Sequence, residues 1–169
     1  MAQVNGNKYV AIVSGFLQEV YSAVSGGASG TLVALDANGK LDATIMPTGI
    51  GADTKDITAS EALAAGDFVN IYNSSGVKCR KADASVAGKQ AHGFVKAQVN
   101  QNATATVYLG GTNDQCSALT PGPVWLSATA GLSTGTPPSG SGQVVQKLGA
   151  ALSATEIAFE PGDPITLVT

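Results

Sequence analysis

A change of hydrophobic period near residue 53 constrains this chain more than any other feature. Beyond that point apolar residues return at every second position. Ala105, Val107 and Leu109 oppose Thr104, Thr106 and Tyr108, and Ile157 and Phe159 oppose Glu156, Ala158 and Glu160. Alternation of this kind belongs to strands with one buried face. It predicts strands over 67–72, 77–82, 91–99, 104–109, 124–129, 143–150, 155–159 and 165–168. Turn-forming clusters separate them, among them Asn73-Ser74-Ser75-Gly76, Gly110-Gly111-Thr112-Asn113-Asp114 and Glu160-Pro161-Gly162-Asp163-Pro164. Short strands at regular spacing, with no helical pattern between them, predict a mainly β fold: a compact antiparallel β-barrel or sandwich over 53–169.

Before residue 53 the pattern differs. Apolar residues at 13, 16, 17, 20, 21 and 24 form a helical stripe, with Ser14, Gly15, Gln18, Glu19 and Ser22 opposite. This spacing predicts one short amphipathic helix over 9–24, weakened by Gly15 and stopped at Ser25-Gly26-Gly27. So short a helix needs a packing partner, either its own domain or the same helix in sister subunits. Residues 25–31, SGGASGT, read as a small-residue linker. Its glycines lack the strand, the following Gly-Lys-Ser/Thr and the helix that a phosphate-binding loop requires. The expected organisation is an N-terminal arm, helix and linker over 1–31, an extended connector over 32–52, and the β domain.

Composition removes several functions. Nine basic against twelve acidic residues give a net charge of −3, without the excess that nucleic-acid or anionic-membrane binding needs. The longest apolar run, Tyr9-Val10-Ala11-Ile12-Val13, falls far short of the ~20 residues that span a bilayer. No secretory signal pattern opens the chain. One His and two Cys leave little for a metal site or a catalytic triad. His92 lies in a strand pattern that suits a packed imidazole, and Cys116 in a loop-like run without a protease-like context, so a nucleophilic pair of the two is not expected. Cys79 and Cys116 are either one long-range disulfide or two separate thiols. Asp53 with Asp56 and Glu156 with Glu160 read as solvated charge, with no calcium-loop pattern around them. Lys78, Arg80 and Lys81 read as a solvated strand edge. The expectation is a protein without catalysis and without cofactors.

Two stretches carry a resemblance. LVALDANGKLDATIMPTGIG, through Asn38, Gly39, Lys40, Leu41, Asp42, Thr44, Met46 and Pro47, resembles a peptide that recurs in bacteriophage head-fibre, capsid-decoration and tail-fibre proteins. There it joins an oligomeric anchoring segment to a projecting domain. The series Ala65-Gly66-Asp67-Phe68-Val69-Asn70-Ile71-Tyr72, Ala91-His92-Gly93-Phe94-Val95 and Ala105-Thr106-Val107-Tyr108-Leu109-Gly110-Gly111 resembles compact β modules of phage decoration and fibre proteins. Leu126-Ser127-Ala128-Thr129-Ala130-Gly131 and Phe159-Glu160-Pro161 continue it.

The resemblance implies a virion surface protein, usually a homotrimer: a capsid decoration (cement) protein on the outer surface of a phage head. Its expected partners are itself and the major capsid protein, with no nucleic acid and no membrane insertion. Val13, Phe16, Leu17, Val20, Val24, Leu41, Ile45 and Met46 are the expected oligomer or capsid contacts. The alternative is a head- or tail-fibre module that binds a host receptor or glycan. Tyr72, Tyr108 and Trp125 would then form an exposed binding surface.

Overall fold

The computed structural model describes residues 8–13, 16–21 and 52–168. The chain divides into two compact units, Met1–Gly51 and Ala52–Thr169. In the first, strands β1 (Lys8–Val13) and β2 (Phe16–Tyr21) pair antiparallel, from Lys8 opposite Tyr21 to Val13 opposite Phe16. These strands stand where the apolar spacing predicts most of the helix. Tyr9, Val10, Ile12, Val13, Val20 and Tyr21 are β-branched or aromatic, types that lose χ1 freedom in a helix and fit a pleated surface. Ser14, Gly15 and the last part of the expected helix, with Val24, lie outside the described residues, as do the linker and Leu41, Ile45 and Met46.

The second unit is all β among its described residues. Strands β3 (Thr54–Ala59), β4 (Phe68–Asn73), β5 (Val77–Lys81), β6 (Gly93–Val95) and β7 (Thr104–Tyr108) close a barrel in the order β3-β5-β4-β6-β7. The strands β8 (Gly111–Asn113), β9 (Gly122–Leu126), β10 (Ser133–Thr134), β11 (Val144–Val145), β12 (Lys147–Ala151), β13 (Ile157–Phe159) and β14 (Ile165–Thr166) follow. Five of them form an open sheet, β10-β9-β12-β13-β8, and β11 pairs with β14. The fold thus joins a barrel to a sheet. The expectation of purely antiparallel pairing fails at one place: β3 and β5 run parallel, Thr58 opposite Lys78 and Ala59 opposite Cys79. Three strands went unread in the sequence. β3 carries only Ile57 and Ala59 as buried positions, β8 sits within a predicted turn, and β10 has two residues.

Period 2 explains how barrel and sheet meet. In β4, Phe68 and Val69 are both buried but on opposite faces, and Phe94 and Val95 repeat the arrangement in β6. Val69 and Val95 fill the barrel with Ile57, Leu63, Cys79 and Val107. Phe68 and Phe94 face outward into a second core with Val124, Leu126, Leu148, Ile157 and Phe159. The rings of Phe68 and Phe94 lie 5.6 and 5.5 Å from Phe159, tilted and edge-on.

Backbone bonds lock the seam. Phe68 N–H donates to Gly131 O at 2.8 Å, and Gly131 N–H donates to Ala82 O at 2.7 Å. Gly131 has φ +83°, and a Cβ there would sit 2.5 Å from Asp67 Oδ1. Glycine alone lets the β9–β10 connection approach this closely.

Candidate functional site

The three aromatic residues expected to share a binding surface occupy separate places. Tyr72, on β4, lies under the Arg80 guanidinium, whose carbon is 4.2 Å from the ring centre. Tyr108 ends β7 and stacks on Phe94 at 5.4 Å, with Lys96 Nζ 5.4 Å from its ring. Trp125 belongs to β9 in the open sheet, opposite Lys147 and Thr134. Among the described residues, the close aromatic pairs join Phe68, Phe94, Tyr108 and Phe159, and neither Tyr72 nor Trp125 takes part. Val13, Phe16, Leu17 and Val20 stand on β1 and β2.

His92 is bonded into the fold, Cys79 is buried and Cys116 half-buried. His92 Nδ1 accepts a hydrogen bond from Ile71 N–H at 2.9 Å, while His92 N–H donates to Val69 O. The imidazole thus continues the β4–β6 ladder beyond its last backbone pair, Val69 with Gly93. Burial lowers the His92 pKa from its ordinary value, since desolvation penalises the charged ring. Cys79 and Cys116 are both free thiols. Burial raises Cys79, and burial with the nearby Asp114 charge pushes Cys116 up to about 11. A thiol so raised is a poor nucleophile at neutral pH. No hydrogen bond joins His92 to Cys116 among the described residues.

The carboxylates follow suit. Asp56, exposed, accepts from Thr106 Oγ1 at 2.8 Å, and Glu156 accepts from Ser153 Oγ at 3.3 Å. Glu160 is exposed beside buried Phe159, as the alternation predicts. Among the described residues no three His, Cys, Asp or Glu side chains stand close enough to hold a metal ion.

The basic cluster splits. β5 is paired on both sides, to β4 and β3, so the expectation of a strand edge is corrected. Lys81 Nζ lies 3.1 Å from Asp67 Oδ2, whose side chain is only 4% exposed. Lys78 and Arg80 take the other face, since alternate residues of a strand point oppositely. Arg80 Nε donates to Asn70 Oδ1 at 3.0 Å and Nη2 to Gly88 O at 3.1 Å.

Sequence reasoning passed over four buried polar residues, Asp67, Asn70, Asn113 and Gln146. Asn113 Nδ2 donates to Gly66 O at 2.9 Å, tying β8 to the loop before β4. Gln146 Oε1 accepts from Ala91 N–H at 2.7 Å and its Nε2 donates to Ala91 O at 3.0 Å. Its side-chain amide pairs with Ala91 as a strand backbone would. Only their position among apolar neighbours marks such residues in a sequence, and their partners lie far along the chain. No buried side-chain nitrogen or oxygen among the described residues lacks a partner.

Beside Asp67 a cleft of about 360 Å³ opens between Ala64–Phe68, Gln115–Ala118 and Gly131–Ser133. Small side chains line most of it, and Asp67, its charged member, is already paired with Lys81. No protein-family model, no curated protein and no solved structure matches the chain.

Proposed function

We propose that this chain is a bacteriophage capsid decoration protein, binding the outer surface of the head and bridging shell subunits by buried contact rather than by chemistry. One observation carries most weight beside the resemblance of residues 32–51 to virion connector peptides. The chain divides at Gly51, where that stretch ends, into an N-terminal unit and a β unit with its own closed core. Such a β unit can project while the N-terminal unit makes the anchoring contact. In this reading Val13, Phe16, Leu17 and Val20 of the first unit, with Val24, Leu41, Ile45 and Met46, bind sister subunits of a homotrimer or the shell. The engagement of His92 and the raised thiols of Cys79 and Cys116 agree with a role without catalysis.

The fibre alternative needs an aromatic platform, and the separate settings of Tyr72, Tyr108 and Trp125 do not supply one. The test is addition of purified chain to phage heads that lack it, followed by sedimentation and heating. Wild type should co-sediment and raise the temperature at which heads release DNA. The Phe16→Asp/Val20→Asp double variant should stay in the supernatant with its β unit folded. Equal binding by the variant, or no binding by wild type, would overturn the proposal.

A further inference from the structure

Among the described residues, the close ion pairs are Lys81 with Asp67, Lys89 with Asp83 and Lys96 with Asp114. Lys78 and Arg80 belong to none. Arg80 is nevertheless held in one geometry. Its guanidinium rests 4.2 Å above Tyr72, its Nε is bound to Asn70 Oδ1 and its Nη2 to Gly88 O. Asn70 is itself fixed, buried at 1% exposure with Nδ2 donating to Gln90 O at 2.8 Å. A guanidinium offers five N–H donors. Two are taken by these bonds, which leaves three on a half-buried side chain without an acceptor among the described residues. Lys78 lies directly opposite Tyr72 in the β4–β5 register and two residues from Arg80 on the same face. The ring therefore lies under an ordered guanidinium, with Lys78 opposite it in the register.

We infer that the Lys78–Tyr72–Arg80 face of the barrel is a carboxylate-binding surface, which docks an acidic segment of a protein partner. The chemistry follows from the fork of Arg80. A guanidinium binds a carboxylate bidentately, and one that is already stacked and bonded loses little conformational freedom on binding. Lys78 adds a second positive charge within reach of the same acidic segment. A polyphosphate backbone fits worse. It needs a broad basic face, whereas Asp56 stands on the neighbouring strand β3 and Asp83 and Glu61 follow or flank β5. This inference does not depend on the decoration role: its residues belong to the β unit, and the proposed anchoring contacts belong to Met1–Gly51.

The test uses the full chain and two probes of equal charge, a decaglutamate peptide and a thymidine oligonucleotide, followed by NMR titration at low salt. Decaglutamate should shift the Arg80 Nε–H and the amides of 72, 78 and 80, and 0.3 M salt should weaken it at least tenfold. Lys78→Glu should cut affinity at least tenfold, and Lys78→Met by a smaller factor. The Lys78 side chain makes no hydrogen bond or ion pair among the described residues, so both variants should fold. Arg80→Lys, which keeps charge but loses the fork, should bind more weakly than wild type, with unchanged amide shifts elsewhere confirming its fold. Shifts centred elsewhere, indifference to Lys78→Glu, or tighter binding of the oligonucleotide would overturn the inference.

Discussion

Replacing Gln146 by Ala removes a side chain that stands in for a strand. Gln146 is 3% exposed, and its amide makes three bonds: from Ala91 N–H at 2.7 Å, to Ala91 O at 3.0 Å and to Gly162 O at 3.3 Å. Truncation leaves the Ala91 N–H and C=O without partners in the interior. Each buried unpaired group costs about 1–3 kcal/mol. Water entering the space left behind recovers part of this, so the low end applies to each group, and the lost methylene packing adds about 1 kcal/mol. The expected loss is about 3 kcal/mol, a large share of the ~5–15 kcal/mol that holds a domain together.

Urea unfolding followed by the fluorescence of Trp125, the single tryptophan, measures it directly. Gln146→Glu sharpens the test. Its carboxylate still accepts from Ala91 N–H but faces the Ala91 and Gly162 carbonyls where the amide donated. Burial and these carbonyls raise the pKa of the new carboxyl, so the variant should be least stable at neutral pH and regain stability as pH falls and the acid protonates. A Gln146→Ala loss below about 0.5 kcal/mol, the range of an indifferent surface change, would refute the reasoning.

Other consequences follow from single contacts. Gly149 has φ +136° at the β9–β12 register shift, and a Cβ there collides with the Ala158 carbonyl; Gly149→Ala should cost more than about 3 kcal/mol or abolish folding, read by circular dichroism. Gly76→Ala, strained at φ +112° but in open space, should cost about 1–2 kcal/mol. His92 must be neutral to accept from Ile71 N–H, and its folded pKa lies below the ordinary 6.5. The unfolded chain therefore takes the proton first, and stability should fall as pH drops below 6.5 until the folded pKa is passed. That slope, after subtraction of a His92→Gln control, should appear in urea midpoints as pH falls below about 6.5 and be absent near pH 8; a zero difference below 6.5 contradicts it. A rise in Cys116 from 9.0 to about 11 lowers its thiolate fraction about a hundredfold, so maleimide at neutral pH should label native protein far more slowly than urea-unfolded protein.

Strands with clean alternation were legible in the sequence. β7 and β13 fall within the predicted ranges because their buried positions alternate, Ala105 and Val107 in one and Ile157 and Phe159 in the other, and β4 and β5 fall within or beside theirs. The long predicted strand over 91–99 shrinks to Gly93–Val95, since His92 takes over the ladder by its side chain. The choice between barrel and sandwich rested on the parallel β3–β5 pairing, which joins residues 20 apart in sequence and leaves no local trace. The expected helix was misled by an apolar spacing that two short strands can also satisfy. The carboxylate-binding face is half visible in the sequence, where Lys78, Arg80 and Lys81 stand together. Only the pleat separates Lys81 towards Asp67, and only the fold places Tyr72 under Arg80. Buried Asn113 and Gln146 bond to partners 47 and 55 residues away, beyond any window of local pattern.

The central claim, decoration of a capsid lattice, is tested most directly by counting this chain in purified virions against the major capsid protein by quantitative mass spectrometry. The account predicts a copy number comparable with that of the shell protein. A number far below it, matching a single vertex or a fibre, or absence from the virion, would contradict the account.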